Sequence, residues 1–408
     1  VNLVVAAVAA MFFLLPFSEA LPGGMSAIWS LAAIALVIGT VVFGQGRRPL
    51  YDGLWPTAAF LALAGVVSSS GAADGLRGHL IIGAQVFLFM SFGPFALRRL
   101  ASAPRLSRIA VGAFLLGQSI SAGVALAQAS GVIVLGWKTE NGRAPGLASH
   151  PNILGVLSGV AIVAFLYLLF RTEIRKIALI VGLAANVGGL LVSGSISSLS
   201  ACILGVLVFM AAARVSMKVP VIMSVVCGAV LWVVAQLSAA GLLRGPAQRI
   251  AQVTGQTTDA STLDIRQNTY AFAWNSIQRD PLFGRGLDSS SGATFDNVTL
   301  THNILLRTWF QGGLSMGIAF ALVVGAVAIV VIRSVVKGQN AAAAGVLTVV
   351  VGFSLTSAAL QQGYFWLLIF GAWALIEPQQ LRRRSGAPVA QPFDVGRGRG
   401  VELRTNLR

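Results

Sequence analysis

The chain has 408 residues, of which 56% are hydrophobic and only 10% charged, with a mean hydropathy of +0.81. An ordinary soluble domain carries about 25% charged residues, and no water-soluble fold has interior enough for this much apolar surface, so a soluble enzyme or binding domain is excluded. The formal net charge of +16 would suggest nucleic acid in a soluble protein; here the cations stand between apolar runs, which points to a membrane surface and to no nucleic-acid partner.

Many of the apolar runs approach or exceed the roughly 18–20 residues that span a bilayer. They predict twelve spans, at 2–18, 25–43, 53–70, 79–97, 109–135, 151–170, 177–194, 198–213, 219–240, 312–332, 341–359 and 363–377. The runs are too long and too uniformly apolar for the alternation of an outer-membrane barrel. The expected fold class is therefore all-α: a polytopic membrane helical bundle with a large, partly helical extracytoplasmic loop. No basic residue precedes the first run and no small-residue cleavage site follows it, which predicts a retained span rather than a signal peptide. The run at 198–213 is short and begins with serines, consistent with a tilted, broken or re-entrant segment. Cys202 and Cys227 lie inside apolar stretches without metal-ligand spacing and read as packed thiols.

The basic residues test this count. With the N-terminus in the cytoplasm, the inner connections hold Arg47, Arg48, Arg98, Arg99, Arg105, Arg108, Arg171, Arg175, Lys176, Arg214, Lys218, Arg333 and Lys337, and the tail adds seven arginines from Arg382 to Arg408. The short outer connections hold only Arg77, Lys138 and Arg143. This is the positive-inside bias of a plasma-membrane protein, and it requires an even number of spans with both termini cytoplasmic. Isolated polar residues along the spans, Asn186, Gln118 and Gln128, read as interhelical hydrogen-bonding groups. His79 and His150, each at the outer start of a span, read first as structural; His150 precedes Pro151, which suits the first turn of a helix. Gln361 and Gln362 read as an outer turn.

One stretch departs from the rest. The polar segment 241–311 falls outside the membrane in this topology and holds STLDIRQNTYAFAWNSIQRDPLFGRG and THNILLRTWFQGG. The first part predicts an amphipathic helix capped by Ser261 or Thr262, with Ile265, Thr269, Phe272 and Ile277 or Ser276 on one face and Pro281 ending it. Tyr270 and Trp274 suit a membrane interface, and LFGRG reads as a turn. Guanidinium forks match phosphate oxygens and keep their charge, and a neutral imidazole is a base near pH 7. Arg266, Arg285, Arg307 and His302 are therefore candidates for a phosphate-and-base constellation. The domain plan is a transmembrane domain over 1–377 with the loop 241–311 inside it, followed by a basic cytoplasmic tail over 378–408. The tail is rich in Pro, Gly and Arg and is expected to be disordered and to sit against anionic lipid.

Four pieces of the chain resemble the O-antigen ligase and Wzy-type polysaccharide polymerase superfamily: HPNILGVLSG at 150–159, SGSISSLSACILGVLVF at 193–209, IRQNTYAFAWNSIQRDPLFGRG at 265–286 and THNILLRTWFQGGLSMGIAF at 301–320. The last two, in this order and at this separation, are the specific part. The resemblance implies a metal-independent membrane glycosyltransferase without a cofactor. Such an enzyme moves a glycan from a polyprenyl-diphosphate-linked donor to a hydroxyl on a glycan or lipid acceptor, among membrane lipids and other envelope polysaccharide assembly proteins. It places the base or acceptor-orienting role on His302 and diphosphate binding on Arg266. Arg285, Arg307, Asn303, Arg244, His150 and Trp274 are the expected substrate contacts. Many members carry an arginine after the serine that opens the mid-chain span; SGSISS has Ile196 there, so one cationic contact is lost and Arg285, Arg307 or Arg244 is the expected replacement. A transporter or flippase accounts for the spans and charges equally well, although no internal repeat of the kind common in transporters is found. A noncatalytic member of the assembly machinery is the remaining alternative.

Overall fold

The computed structural model describes residues 2–22, 24–43, 47–132, 142–171, 176–216, 262–288, 299–357, 360 and 362–376, with positions 228, 232 and 236. The predicted ninth span apart from those three positions, together with Cys227, Arg244, Ser261, Gln361 and the tail from 377 on, lies outside the described residues. In chain order the helices are α1 (Asn2–Leu14), α2 (Met25–Phe43), α3 (Leu54–Ser69), α4 (Leu76–Ala101), α5 (Pro104–Ala129) and α6 (Pro151–Arg171). They continue with α7 (Lys176–Val192), α8 (Ile196–Ala213), α9 (Thr262–Arg279), α10 (Ile304–Lys337), α11 (Ala341–Ser354) and α12 (Gly363–Ala374). Among the described residues, α2, α3, α4, α5, α6, α8 and α10 are long and apolar enough to cross a membrane, while α1, α7, α11 and α12 are apolar but shorter. The chain is thus an all-α, polytopic membrane protein.

Small residues let the helices approach closely, as expected where apolar burial alone gives no preference for protein over lipid. Gly205 of α8 and Gly345 of α11 face each other at a crossing where a Cβ on Gly205 would stand 2.8 Å from the Gly345 carbonyl oxygen and one on Gly345 would stand 2.9 Å from that of Gly205. At the centre lies α12, in which Phe370 and Trp366 stack and Trp55 of α3 meets both Phe370 and Trp373 edge-on at 5.1 Å. All of α12 from Gly363 to Phe370 is buried, so it is apolar on every side because every side meets protein.

The polar residues of the spans have the partners their sequence context predicts. Gln118 Nε2 donates to Ser158 Oγ at 2.9 Å, Asn186 Nδ2 donates to Ser119 Oγ at 3.1 Å, and Gln128 exchanges two bonds with the backbone of Gly146. Gln362 accepts from the Leu360 amide at 2.8 Å and satisfies its turn. The arginines of the last turn of α4 close helix C-termini, where unpaired carbonyls concentrate negative charge: Arg98 donates to Ala374 and Ile376 at the end of α12, and Arg99 donates to Thr40 and Val41 near the end of α2.

Candidate active site at the start of the tenth helix

The LFGRG turn and the QGG sequence prove to be two halves of one joint. Helix α10 is interrupted at Gly313, whose backbone (φ 70°, ψ −175°) is outside the helical region. The break releases carbonyls that a continuous helix would use. Phe310 O then accepts from Arg285 N at 3.1 Å, Gln311 O accepts from Gly286 N at 2.9 Å, and Leu314 N donates back to Leu282 O at 3.3 Å. The strands of chain touch so closely that a Cβ on Gly284 would stand 2.1 Å from Gln311 O. His79 holds the far side of the turn: one ring nitrogen accepts from Leu287 N at 2.9 Å while the other donates to Val66 O at 2.8 Å.

Helix α9 lies against the first turns of α10. Its buried stripe is Thr269, Ala273 and Ile277, one residue every helical turn, and Ala273 and Ile277 form a small core with Phe310. Tyr270 Oη donates to the His302 carbonyl at 2.8 Å, and Trp309 Nε1 donates to Pro281 O at 2.9 Å. Trp274 meets Trp309 edge-on at 6.1 Å. The helix stops at Arg279 because Pro281 follows, and Asp280 turns the chain by accepting from Phe283 N at 3.2 Å.

This arrangement delivers His302 to a half-buried position just ahead of α10, where its Nδ1 is buried with no hydrogen-bond partner. Burial holds the imidazole below its usual 6.5, and the charges of Arg266, Arg307 and His150 act in the same direction. The Leu300 carbonyl, near the ring but forming no well-shaped bond to Nδ1, pulls the other way. Three of the expected residues, Arg266 of α9, Arg307 of α10 and His150 just before α6, thus act on the one imidazole. Arg266 also spans to α8, donating from Nη2 to Ser197 Oγ at 3.1 Å. Burial pushes the Tyr270 phenol up, and Arg266 draws it back.

The other expected residues take more specific positions. Asn303 Oδ1 accepts from Leu306 N at 3.0 Å, so the residue after His302 caps α10 and fixes where the imidazole stands. Arg307 is only 1% exposed, and its Nε donates to Gln311 Oε1 at 2.8 Å; it acts on His302 through its field rather than from the surface. His150 Nδ1 accepts from Asn152 N at 3.1 Å and caps α6. Arg285 is exposed, its side chain makes no hydrogen bond among the described residues, and it is not among the charges acting on His302. Trp274 is 46% exposed on the outer side of α9.

Two residues not singled out as site candidates stand at this rim. Arg143, 7% exposed, donates from Nε to Ser193 O at 2.8 Å and from Nη2 to Asn152 Oδ1, tying the starts of α6 and α8 together. Ser195 caps α8 there, accepting from Ser198 N at 3.3 Å, while Ile196 is 48% exposed. No acidic residue occupies the first turn of α6, α8 or α10, so three positive helix ends and several arginines share this region, an arrangement that favours an anion. Ser149, beside His150, donates to Glu19 Oε2 at 3.1 Å. Burial raises the Glu19 carboxyl to about 7 against the opposing effect of that bond. Neither Arg143 nor Glu19 has a sequence signal of its own, since Ser193 and Ser149 lie 50 and 130 positions away from them. Among the described residues, no group of three or more His, Cys, Asp or Glu side chains could hold a metal ion.

No curated protein matches the chain. Residues 179–321 match a family described as O-Antigen ligase. That span contains the serine-rich start of α8, Arg266, the glycine joint and His302. The segment that builds most of this site is therefore an O-antigen ligase family domain.

Proposed function

We propose that the protein transfers a glycan from a polyprenyl-diphosphate-linked donor to a hydroxyl acceptor at the outer face of the plasma membrane, as a metal-independent ligase or polymerase. The topology behind this reading has about twelve spans, both termini in the cytoplasm and the segment 241–311 outside. The observations that carry it are the seating of α9 against the His302 turn, where Tyr270 Oη donates to the His302 carbonyl at 2.8 Å, and the half-buried place of an imidazole held below its usual range by burial and the charges of Arg266, Arg307 and His150.

In the proposed reaction the donor's prenyl tail stays in lipid and its diphosphate lies at the interface beside Arg266. The acceptor oxygen forms a bond to the anomeric carbon while the bond from that carbon to the diphosphate oxygen breaks, and the electron pair leaves with the lipid diphosphate. Fixed guanidinium groups stabilise the charge that grows on that oxygen, where they help most because they need not reorganise. The hydroxyl proton passes to His302, which is available because burial and the neighbouring cations keep it unprotonated. Arg307, enclosed within α10, contributes field, and Arg285, exposed on the turn, is placed to meet the donor from solvent. Arg244 remains a proposed contact.

Turnover of a lipid-linked oligosaccharide donor by the purified protein, with the products sized, tests this. A ladder identifies a polymerase and a single capped product a ligase; movement of donor across the bilayer with no new glycosidic bond would identify a transporter instead. His302→Ala and Arg266→Ala should abolish transfer while membrane insertion is retained. Normal transfer by both variants at matched protein levels overturns the site assignment.

A further inference from the structure

At the end of α10 opposite His302, a groove runs between α3 and α10. It encloses about 530 Å³ and is lined on α10 by a stripe that begins at Ala321 and Leu322 and ends at Arg333. Its floor is made of small residues, Gly325 and Ala326, and a Cβ on Gly325 would meet nothing within 4 Å. Leu322 and Ile329 form its sides and are 40% and 48% exposed. The groove is apolar along its length and polar only at one end. There Arg333 Nη1 donates to Tyr51 Oη, and the guanidinium carbon lies 5.9 Å from the Tyr51 ring centre.

Three features of this groove specify an occupant. The first is length. From Ala321 to Arg333 the stripe rises ~18 Å at 1.5 Å per residue, close to the ~15 Å depth of hydrocarbon in one leaflet. The groove therefore reaches from one membrane surface to about the midplane, as a single acyl chain does. The second is charge. Arg333 pairs with the Tyr51 hydroxyl and, among the described residues, with no carboxylate, whereas Arg48 in the same connection as Tyr51 is paired with Asp52 at 3.2 Å. Arg47 beside it is exposed. A guanidinium at a membrane surface with an aromatic platform and no carboxylate partner matches the oxygens of a phosphate. The third is position: α10 is 34 residues long, which puts Arg333 on the membrane face away from the site around His302, where a donor diphosphate there could not reach it.

We infer that this groove is a binding site for one anionic phospholipid of the opposite leaflet, an acyl chain lying on Gly325 and the headgroup phosphate on Arg333. It stands independently of the proposed transfer reaction. An exposed apolar surface facing lipid is ordinary in a membrane protein; a recess closed by a cation at headgroup depth is what distinguishes this one.

The test is native mass spectrometry of the full-length protein, delipidated in detergent and supplied with phosphatidylglycerol or with phosphatidylcholine of the same chains. One phosphatidylglycerol should be retained in preference to phosphatidylcholine. Arg333→Ala should lower its retention about tenfold, to the phosphatidylcholine level, and Arg333→Lys should restore part of it. Gly325→Leu should remove both lipids by filling the floor. Ala321→Leu blocks the groove from another turn, so that poor folding of one variant leaves the question answerable; monodispersity and thermal unfolding confirm that each variant is intact. Equal retention of the two lipids by the unaltered protein, or unchanged retention in the Arg333→Ala and groove-filling variants, overturns the assignment. One-for-one displacement by a polyprenyl phosphate also overturns it, in favour of a prenyl-chain site.

Discussion

Gly284→Ala probes the joint between the turn and the tenth helix most directly. The added methyl would stand 2.1 Å from Gln311 O, 2.4 Å from Gln311 C and 2.6 Å from Gly313 N. All three are backbone atoms, so no side-chain rotation relieves the clash and the two segments must part. Parting them breaks the bonds Arg285 N–Phe310 O, Gly286 N–Gln311 O and Leu314 N–Leu282 O. At about 1 kcal/mol net for each bond, the loss is roughly 3 kcal/mol, and it falls on the element that positions α9 and hence Arg266. Gly313→Ala adds a different burden: its φ of 70° is unfavourable to any side chain, at about 1–3 kcal/mol, and its methyl would stand 2.3 Å from Leu282 O. Gly325→Ala, in ordinary helix with open space at its Cβ, is the control and should be neutral or stabilising by about 0.5–1 kcal/mol. Thermal unfolding in detergent, read together with donor turnover, gives both quantities. Melting temperatures for Gly284→Ala and Gly313→Ala equal to that of Gly325→Ala would refute the joint as described.

Other expectations concern the titrating and charged groups. Because the His302 imidazole is held below its usual 6.5, it stays neutral at pH 7; the acid limb of the transfer rate should fall below pH 6.5, and Arg266→Gln should move it upward by removing one of the cations that disfavour protonation. A limb unmoved by Arg266→Gln in a pH–rate series would contradict this coupling. Arg266→Lys should keep the charge but lose the bidentate fork, and donor turnover under single-turnover conditions should drop less than in Arg266→Ala, where a loss of at least about a hundredfold, to the background of the assay, is expected for a group stabilising the leaving charge. Glu19 has the opposite linkage to an ion-paired carboxylate. Its folded state holds a proton up to about 7 against an ordinary 4.5, so the folded state binds more protons in that window and its stability declines as pH rises through it. Glu19→Gln should flatten that decline and be the more stable form above pH 7, and unfolding curves across pH 4 to 8 that run parallel for the two proteins would exclude it.

The membrane-spanning class was legible because hydropathy and the placement of arginines are properties of the chain itself. Arg98 and Arg99 stand at the end of α4, where they donate to carbonyls at the ends of α12 and α2. The glycine turn after Pro281 was legible as a turn, but not as the partner of Gly313, because the match lies in backbone groups exposed only once α10 is interrupted. The face of α9 was read in part. Thr269 and Ile277 were expected and are buried, and Phe272 is partly buried and meets Phe310 edge-on at 5.6 Å, whereas Ala273 joins the stripe unannounced and Ile265 is 37% exposed. Arg143 and Glu19 escaped notice because their roles depend on contacts across 50 and 130 positions, to Ser193 and Ser149, which no local pattern encodes.

The wholly enclosed α12 has a consequence for how the protein is made. Twelve residues rise only ~18 Å, well short of the ~30 Å hydrocarbon layer, and nothing but neighbouring protein covers its flanks. It is also the last of the described helices to leave the ribosome. Until it arrives, Trp55 and Phe320 line a vacant slot in the nascent bundle, so a translocon that releases each segment to lipid in turn must leave this one to be recruited by the finished scaffold. A chain lacking Gly363–Ala374 would therefore present that slot as an open seam to quality-control proteases.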